Sequence, residues 1–123
     1  MLLRFVSRIL LCLLFLTGCS SAAPDAPARP DGLATVQEAK LPAEARETLR
    51  LIDGGGPFPY AKDGSVFGNF ERLLPAHRRG YYHEYTVPTP GSRDRGARRI
   101  VTGQGGEVYY TDDHYDSFRA VLR

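Results

Sequence analysis

Tyr81-Tyr82-His83-Glu84-Tyr85-Thr86-Val87 is the stretch that decides the fold. Aromatic and β-branched residues dominate it, Gly80 precedes it and Pro88 follows it, which is the texture and punctuation of a strand. Arg98 to Gly103 and Glu107 to Thr111 repeat that texture, so the three read as successive antiparallel strands. Ser117 to Leu122 adds a short edge strand. Upstream, Leu41-Pro42 opens a helical pattern, with Pro42 tolerated in a first turn, Glu44 and Glu47 early, and Ala45, Leu49 and Ile52 along one face. Gly54-Gly55-Gly56-Pro57 ends it. Between helix and strands, Phe58, Tyr60, Val66, Phe67 and Phe70 lie among Pro, Gly and Asp, which suggests loops and one short strand. One helix followed by consecutive strands predicts an α+β domain, the helix packed on one face of a twisted antiparallel sheet.

The chain of 123 residues begins with a segment that reads as an export signal over residues 1–18. Arg4 and Arg8 make its start basic, and Ile9 to Leu16 is an apolar run too short to span a bilayer. Leu16-Thr17-Gly18-Cys19 resembles a lipobox, which would tether the protein to a membrane through a lipidated Cys19. A plain signal cleaved near Ser21-Ala22-Ala23 is the competing reading. Residues 19–32, rich in Ala, Pro and Asp, read as a flexible linker, which leaves residues 33–123 as the functional domain. Cys12 and Cys19 are the two cysteines, and neither lies in that domain, so its core must hold it without an internal disulfide.

Loss of Arg4 and Arg8 with the signal takes the formal charge from +2 to 0, so net charge excludes little. Its distribution says more. Cys19 to Glu71 holds five basic and eight acidic residues, and Arg72 to Arg123 nine and six. The excess is densest from Arg78 to Arg99, where Arg78, Arg79, Arg93, Arg95, Arg98 and Arg99 face only Glu84 and Asp94. Arginine suits bidentate contact with phosphate; a solvated surface is the plainer reading of the same charge.

Alternation along a strand puts Tyr82, Glu84 and Thr86 on one face. With the helix on the other face, Glu84 can share the open side with Arg99 of the next strand, and His114 lies in a loop just past the third. A carboxylate, a histidine and an arginine together can split a phosphodiester without a metal. One base takes the ribose 2′-hydroxyl proton, one acid protonates the leaving 5′-oxygen, and fixed positive charge steadies the phosphorus centre. Each residue also has a plainer reading: Glu84 as a structural ion pair, His114 as an exposed loop residue, and His77 and His83 as surface or packing. No zinc-type ligand spacing and no phosphate-binding P-loop is present, and no cofactor or metal is expected.

Gly56-Pro57-Phe58-Pro59-Tyr60, Phe67 to Glu71, Gly80 to Val87, Arg95-Gly96-Ala97-Arg98-Arg99-Ile100, and Tyr109-Tyr110-Thr111 with Asp113-His114-Tyr115 together resemble the guanyl-specific, barnase-like microbial ribonucleases. The secreted Streptomyces members are the most similar. The resemblance covers about Val36 to Tyr115 and implies the microbial ribonuclease fold. It also implies an exported, metal-independent endoribonuclease that cleaves single-stranded RNA 3′ of guanosine. A 2′,3′-cyclic phosphate would form first and then be hydrolysed to a 3′-phosphate. It implies Glu84 as general base, His114 as general acid, Arg99 and Arg95 on the scissile phosphate, and Tyr115 completing the phosphate site. Guanine would fall to Phe67, Gly68, Asn69, Phe70 and Glu71, with the Glu71 carboxylate accepting from the guanine N–H edge and backbone N–H groups donating to its carbonyl. RNA is then the substrate, a barstar-like protein inhibitor is an expected partner, and the enzyme is expected to be a monomer.

The chain departs from the family in three places. Relatives carry a disulfide from near the domain's start to the C-terminus, whereas here the first position is Gln37 and the chain ends at Arg123 without a cysteine. Gly68 and Phe70 stand where longer polar residues are expected, so Phe70 is a candidate to stack on the base. Gln104 to Glu107 is one residue short. The alternative function on this scaffold is a catalytically inactive RNA- or nucleotide-binding lipoprotein, and a structural envelope protein is a third; joint retention of Glu84, Arg99 and His114 argues against both.

Overall fold

A computed structural model describes residues 32–123. The expected signal and all of the expected linker except Gly32 lie outside the described residues. The elements in order are β1 (Ala34–Gln37), a 3₁₀ turn (Glu38–Lys40), α1 (Ala43–Gly54), β2 (Ser65–Phe67), β3 (Tyr82–Thr86), β4 (Arg99–Gly103), β5 (Val108–Thr111) and β6 (Arg119–Leu122). One sheet takes all six strands in the order β1-β6-β5-β4-β3-β2. This is the α+β arrangement, one helix against one sheet, that the sequence led us to expect.

Pro42 stands just before the helix as its N-cap, and its carbonyl accepts from the Ala45 and Arg46 N–H groups at 3.0 and 3.1 Å. With no N–H of its own, proline loses nothing at a helix entrance. At the other end Gly55 turns left-handed at φ 82°, which lets the Gly56 N–H reach the Leu51 carbonyl at 2.8 Å and close the helix. Ala45 and Leu49 are fully buried on the face predicted for them and meet Val87, Ile100, Tyr110 and Val121 of the sheet. Burial of a side chain such as Leu49 or Ile100 contributes about 1.5–3 kcal/mol.

Three expectations need correction. β6 is not an edge strand: it lies between β5 and β1, and β1 is the edge. The sheet is mixed rather than wholly antiparallel, because β1 runs parallel to β6 with Ala34 opposite Arg119 and Gln37 opposite Leu122. Nor is the face away from the helix bare. Leu74, Tyr82, Val101, Tyr109, Phe118 and Ala120 form a second buried cluster there, because the 68–81 segment and the 112–118 turn fold back over the sheet.

Near the C-terminus, Arg123 sits where a disulfide would be expected to tie the ends together. Its Nε donates to Glu38 Oε1 at 2.8 Å, its Nη1 to Asp53 Oδ1 at 3.1 Å and its Nη2 to Asp53 Oδ2 at 2.5 Å. One guanidinium thus joins the strand that ends the chain to the 3₁₀ turn and to the last turn of α1. The Arg123 hydrogen bond holds the Asp53 carboxyl below its ordinary pKa. A depressed folded pKa means stability that is present above the unfolded carboxylate value and is lost as pH falls through the folded one. Both partners are partly exposed, so the clasp contributes about 1 kcal/mol. For a domain of this size that is about 4–8 °C in Tm, which Arg123→Ala is expected to remove at pH 7. The difference from wild type should narrow as pH falls through the acid range, as the lowered Asp53 pKa requires; an unchanged gap there would assign the loss to packing instead of charge.

Candidate active site

β3 presents Glu84 on the side away from the helix, in one cross-strand row with Val101 and Tyr109, while Thr86, Arg99 and Thr111 form the next row. The strand is fixed at its outer margin by Asp63, which accepts from the Thr86 N–H at 2.8 Å and from the Tyr60 N–H at 3.1 Å. The Gly64 N–H donates to the Glu84 carbonyl at 2.8 Å. Glu84 is therefore held by its backbone from both sides, and its side chain is left half-buried.

Tyr115 is the hub of the site. Its hydroxyl donates to Glu84 Oε1 at 2.7 Å, its ring lies 5.9 Å from the Arg99 guanidinium carbon, and its centroid is 4.9 Å from that of His114. Burial, followed by the Glu84 carboxylate, pushes the Tyr115 phenol up to about 12, so it remains a donor across the neutral range. The turn that delivers Tyr115 and His114 is built by Asp113. Its carboxylate accepts from Thr111 Oγ1 at 2.8 Å, from the Ser117 N–H at 2.9 Å and from Ser117 Oγ at 2.5 Å, and these bonds, the Ser117 one first, lower its pKa. The His114 N–H donates to the Ala97 carbonyl at 2.9 Å, which ties this turn to the loop before β4. His114 itself is exposed.

Arg99 is only 2% exposed. Its Nη1 donates to the carbonyls of Arg98 at 2.7 Å and Gly96 at 3.0 Å, with Arg95 further off at 3.4 Å. Its Nε is buried without an acceptor, and no carboxylate of the described residues pairs with it. A buried guanidinium is normally matched by an anion. Arg95 points to the same row through a 2.8 Å bond from Nη1 to Thr86 Oγ1. The dense run of arginines therefore divides: Arg95 and Arg99 serve this face, while Arg98 pairs with Glu44 of the helix at 3.5 Å.

Beside Glu84 opens a pocket of about 450 Å³, lined on one side by Phe67 to Glu71 and on the other by Glu84 and Tyr115. The Asn69 side chain folds its wall, donating to the Leu74 carbonyl at 2.9 Å and accepting from the Leu74 N–H at 3.1 Å. Phe67 is engaged with Tyr115 (5.2 Å between centroids) and Phe118 (5.7 Å). Phe70, in contrast, is 85% exposed, and its ring lies where a Cβ on residue 68 would be, 2.6 Å away, so Gly68 is what lets it lie there. Arg95, Arg99 and His114 do not line this pocket; they stand beyond Tyr115. The site thus has two compartments, an open pocket and a cationic end, with Glu84 between them.

All four non-glycine residues with left-handed backbone among those described, Asn69, Arg72, His114 and Tyr115, lie in or next to the two loops that bound these compartments. Such conformations cost of order 1–3 kcal/mol each and persist where surrounding contacts enforce them. His83 faces away from Glu84, and His77 stacks on Tyr81 at 3.6 Å, so neither is brought to the site. Sequence reasoning missed Asp63 and Asp113 as the residues that position it. The Thr-x-Asp-x-x-x-Ser spacing from Thr111 to Ser117, typical of a side-chain-closed turn, was the signal for the second. Among the described residues no group of three or more His, Cys, Asp or Glu is placed to hold a metal ion.

Comparison with known proteins places this geometry. A family described as ribonuclease matches residues 24–122. The chain is 57% identical over 91 residues to guanyl-specific ribonuclease St of Saccharopolyspora erythraea, an alignment that takes in 74% of this chain and 90% of that one. It is 70% identical over 82 residues to guanyl-specific ribonuclease Sa3 of Kitasatospora aureofaciens, covering 66% of this chain and 58% of the relative. Among solved structures, ribonuclease Sa2 with guanosine-2′-cyclophosphate superposes with a TM-score of 0.71 at 53% identity, over 73% of this chain and 96% of that one.

Proposed function

The chain belongs to the guanyl-specific microbial ribonuclease family, and on that premise we propose how its residues divide the work of cutting RNA. The reaction is metal-independent endonucleolytic cleavage on the 3′ side of guanosine through a 2′,3′-cyclic phosphate. Glu84 takes the proton of the 2′-hydroxyl, the 2′-oxygen bonds to phosphorus, and the P–O5′ bond breaks as His114 gives its proton to the leaving oxygen. In the second step a water oxygen bonds to phosphorus, its proton goes to His114, and the P–O2′ bond breaks as Glu84 returns a proton to the 2′-oxygen. Arg99 and Arg95 hold the phosphate, and the Tyr115 hydroxyl orients the Glu84 carboxylate.

The observation that carries this reading is the buried Arg99 guanidinium with an unsatisfied Nε, next to a carboxylate held by tyrosine and an exposed histidine. A phosphate is the anion that would satisfy it. Guanine sits in the adjoining pocket, where Glu71 accepts from its N–H edge. Phe67 is already packed against Tyr115 and Phe118, so Phe70 supplies the free aromatic face.

The test adds the purified full chain to GpA and ApA in the presence of a chelator. GpA is expected to be cut and ApA to lag far behind. No cleavage of either would sink the assignment, and equal cleavage would sink the guanine pocket. Glu71→Gln should shrink the GpA preference by about tenfold or more, since a charged hydrogen bond contributes about 1.5–3 kcal/mol.

The protein acts outside the cytoplasm. A lipid on Cys19 is proposed from the lipobox-like Leu16-Thr17-Gly18-Cys19, and a mature N-terminus of unmodified mass would rule it out. A barstar-like inhibitor and a monomeric state are proposed from the family resemblance alone.

A further inference from the structure

The arginines of the described chain differ in how they are occupied. Arg50, Arg98, Arg119 and Arg123 pair with carboxylates, and Arg46, Arg95 and Arg99 donate to carbonyl or hydroxyl oxygens. Arg72, Arg78 and Arg79 are exposed and pair with no carboxylate among the described residues. They belong to one segment, Arg72 to His83, that contains no acidic residue. Only Arg93, on the loop between β3 and β4, is comparably free.

This segment is well anchored. Asn69 pins Leu74, Tyr82 Oη donates to the Pro75 carbonyl at 2.6 Å, and the Tyr81 N–H donates to the Arg78 carbonyl at 3.1 Å. Its aromatic groups are set too. His77 lies parallel to Tyr81, 3.6 Å between centroids and 8° between planes, and the Tyr81 hydroxyl donates to Glu107 Oε2 at 2.7 Å. His77 is exposed, so one face of this stacked pair is open to a base. The Arg79 guanidinium lies 5.9 Å from the centre of the Phe70 ring, which joins the patch to the mouth of the pocket.

Direction follows from the two compartments. Arg99 and His114 lie beyond Glu84 from the base pocket, so the chain that leaves the guanosine through its 3′-phosphate departs at that end. The arginine segment meets the pocket from the other side, where Arg79 lies against Phe70, so it faces RNA that does not leave through the cleaved phosphate. We infer that Arg72, Arg78 and Arg79, with the open face of His77, form an accessory subsite that binds the phosphates and a base of the RNA immediately 5′ of the cleaved guanosine. This rests on the placement of guanosine proposed above. Exposed cations interleaved with stackable rings bind single strands with little base preference and strong salt dependence.

The test uses the full chain and three substrates with a single guanosine: GpA, UpUpGpA extended on the 5′ side, and GpApUpU extended on the 3′ side. Wild type should show a kcat/KM for UpUpGpA about tenfold above that for GpA at low salt. Arg72→Gln/Arg78→Gln should abolish that gain while leaving GpA and GpApUpU within about twofold of wild type, and the matching double lysine variant should restore most of it. The gain should also fall with salt, with the double glutamine variant shallower by a log–log slope of about 0.7 for each phosphate it no longer neutralises. The inference is overturned if wild type gains nothing from the 5′ extension, if the double variant loses GpA and UpUpGpA alike, or if the loss falls on GpApUpU instead. Guanine preference is read separately, in GpA against ApA, so failure of the base assignment is distinguishable from failure of the subsite.

Discussion

His114→Ala should lower cleavage of GpA by at least about a hundredfold, because proton donation to a poor leaving group contributes on the order of 10²–10⁴ in rate. The size of the loss alone would not identify the role. Substitution of the 5′-nucleoside by an aryl leaving group, which departs without a proton, should reduce the His114→Ala defect to a small factor. Glu84→Gln should be about equally damaging on both substrates, since the 2′-hydroxyl must be deprotonated in either case. The two variants should also remove opposite limbs of a bell-shaped pH profile. If His114→Ala retained near-full activity on GpA, another proton donor would be required, and neither His77 nor His83 is placed to serve. If its defect were the same on the aryl ester, His114 would be binding substrate, not donating a proton.

Arg99→Met has two expected effects of opposite sign. Fixed charge at the reacting phosphate is worth roughly 10²–10³ in kcat, so activity should collapse. Stability should hold or rise, because the variant fills nearly the same volume without burying a guanidinium whose Nε lacks an acceptor. Thermal unfolding and GpA turnover of the same preparation read both. A variant that lost activity and stability together would make Arg99 a structural strut, its bonds to the Gly96 and Arg98 carbonyls holding the loop before β4. Arg99→Lys should recover only part of the rate, since an ammonium cannot present the planar fork.

Much of the fold is legible in the sequence, for identifiable reasons. β3, β4 and β5 are consecutive, rich in aromatic and β-branched residues, and bounded by Gly or Pro, so local pattern and global pairing agree. The helix carries its own signals at Pro42 and at Gly55. β1 leaves no such mark: it is four residues long, its partner Arg119–Leu122 lies more than eighty positions away, and nothing in Ala34-Thr35-Val36-Gln37 announces that pairing. The placement of β6 inside the sheet is lost with it. In the site, strand alternation puts Glu84 on the side that also carries Arg99, the position of His114 just past the third strand puts it within reach, and the family resemblance adds Tyr115. Convergence on Tyr115 is not legible, because it depends on a turn closed by Asp113 and on two successive left-handed residues. Nor is the freedom of Arg99 from any carboxylate, since sequence gives the number of charges and not their partners.

The Arg123 clasp has a meaning for where this enzyme can become active. A covalent cystine forms only in oxidising surroundings and often needs a catalyst, so it ties maturation to a compartment. The guanidinium joining Glu38 and Asp53 needs no oxidant, and the described domain contains no cysteine to wait for one. Its folding is therefore indifferent to redox state: a copy held back in the reducing cytosol can reach the same shape as one already outside. For a nuclease whose substrate fills the cytosol, no disulfide within the described domain delays the blade.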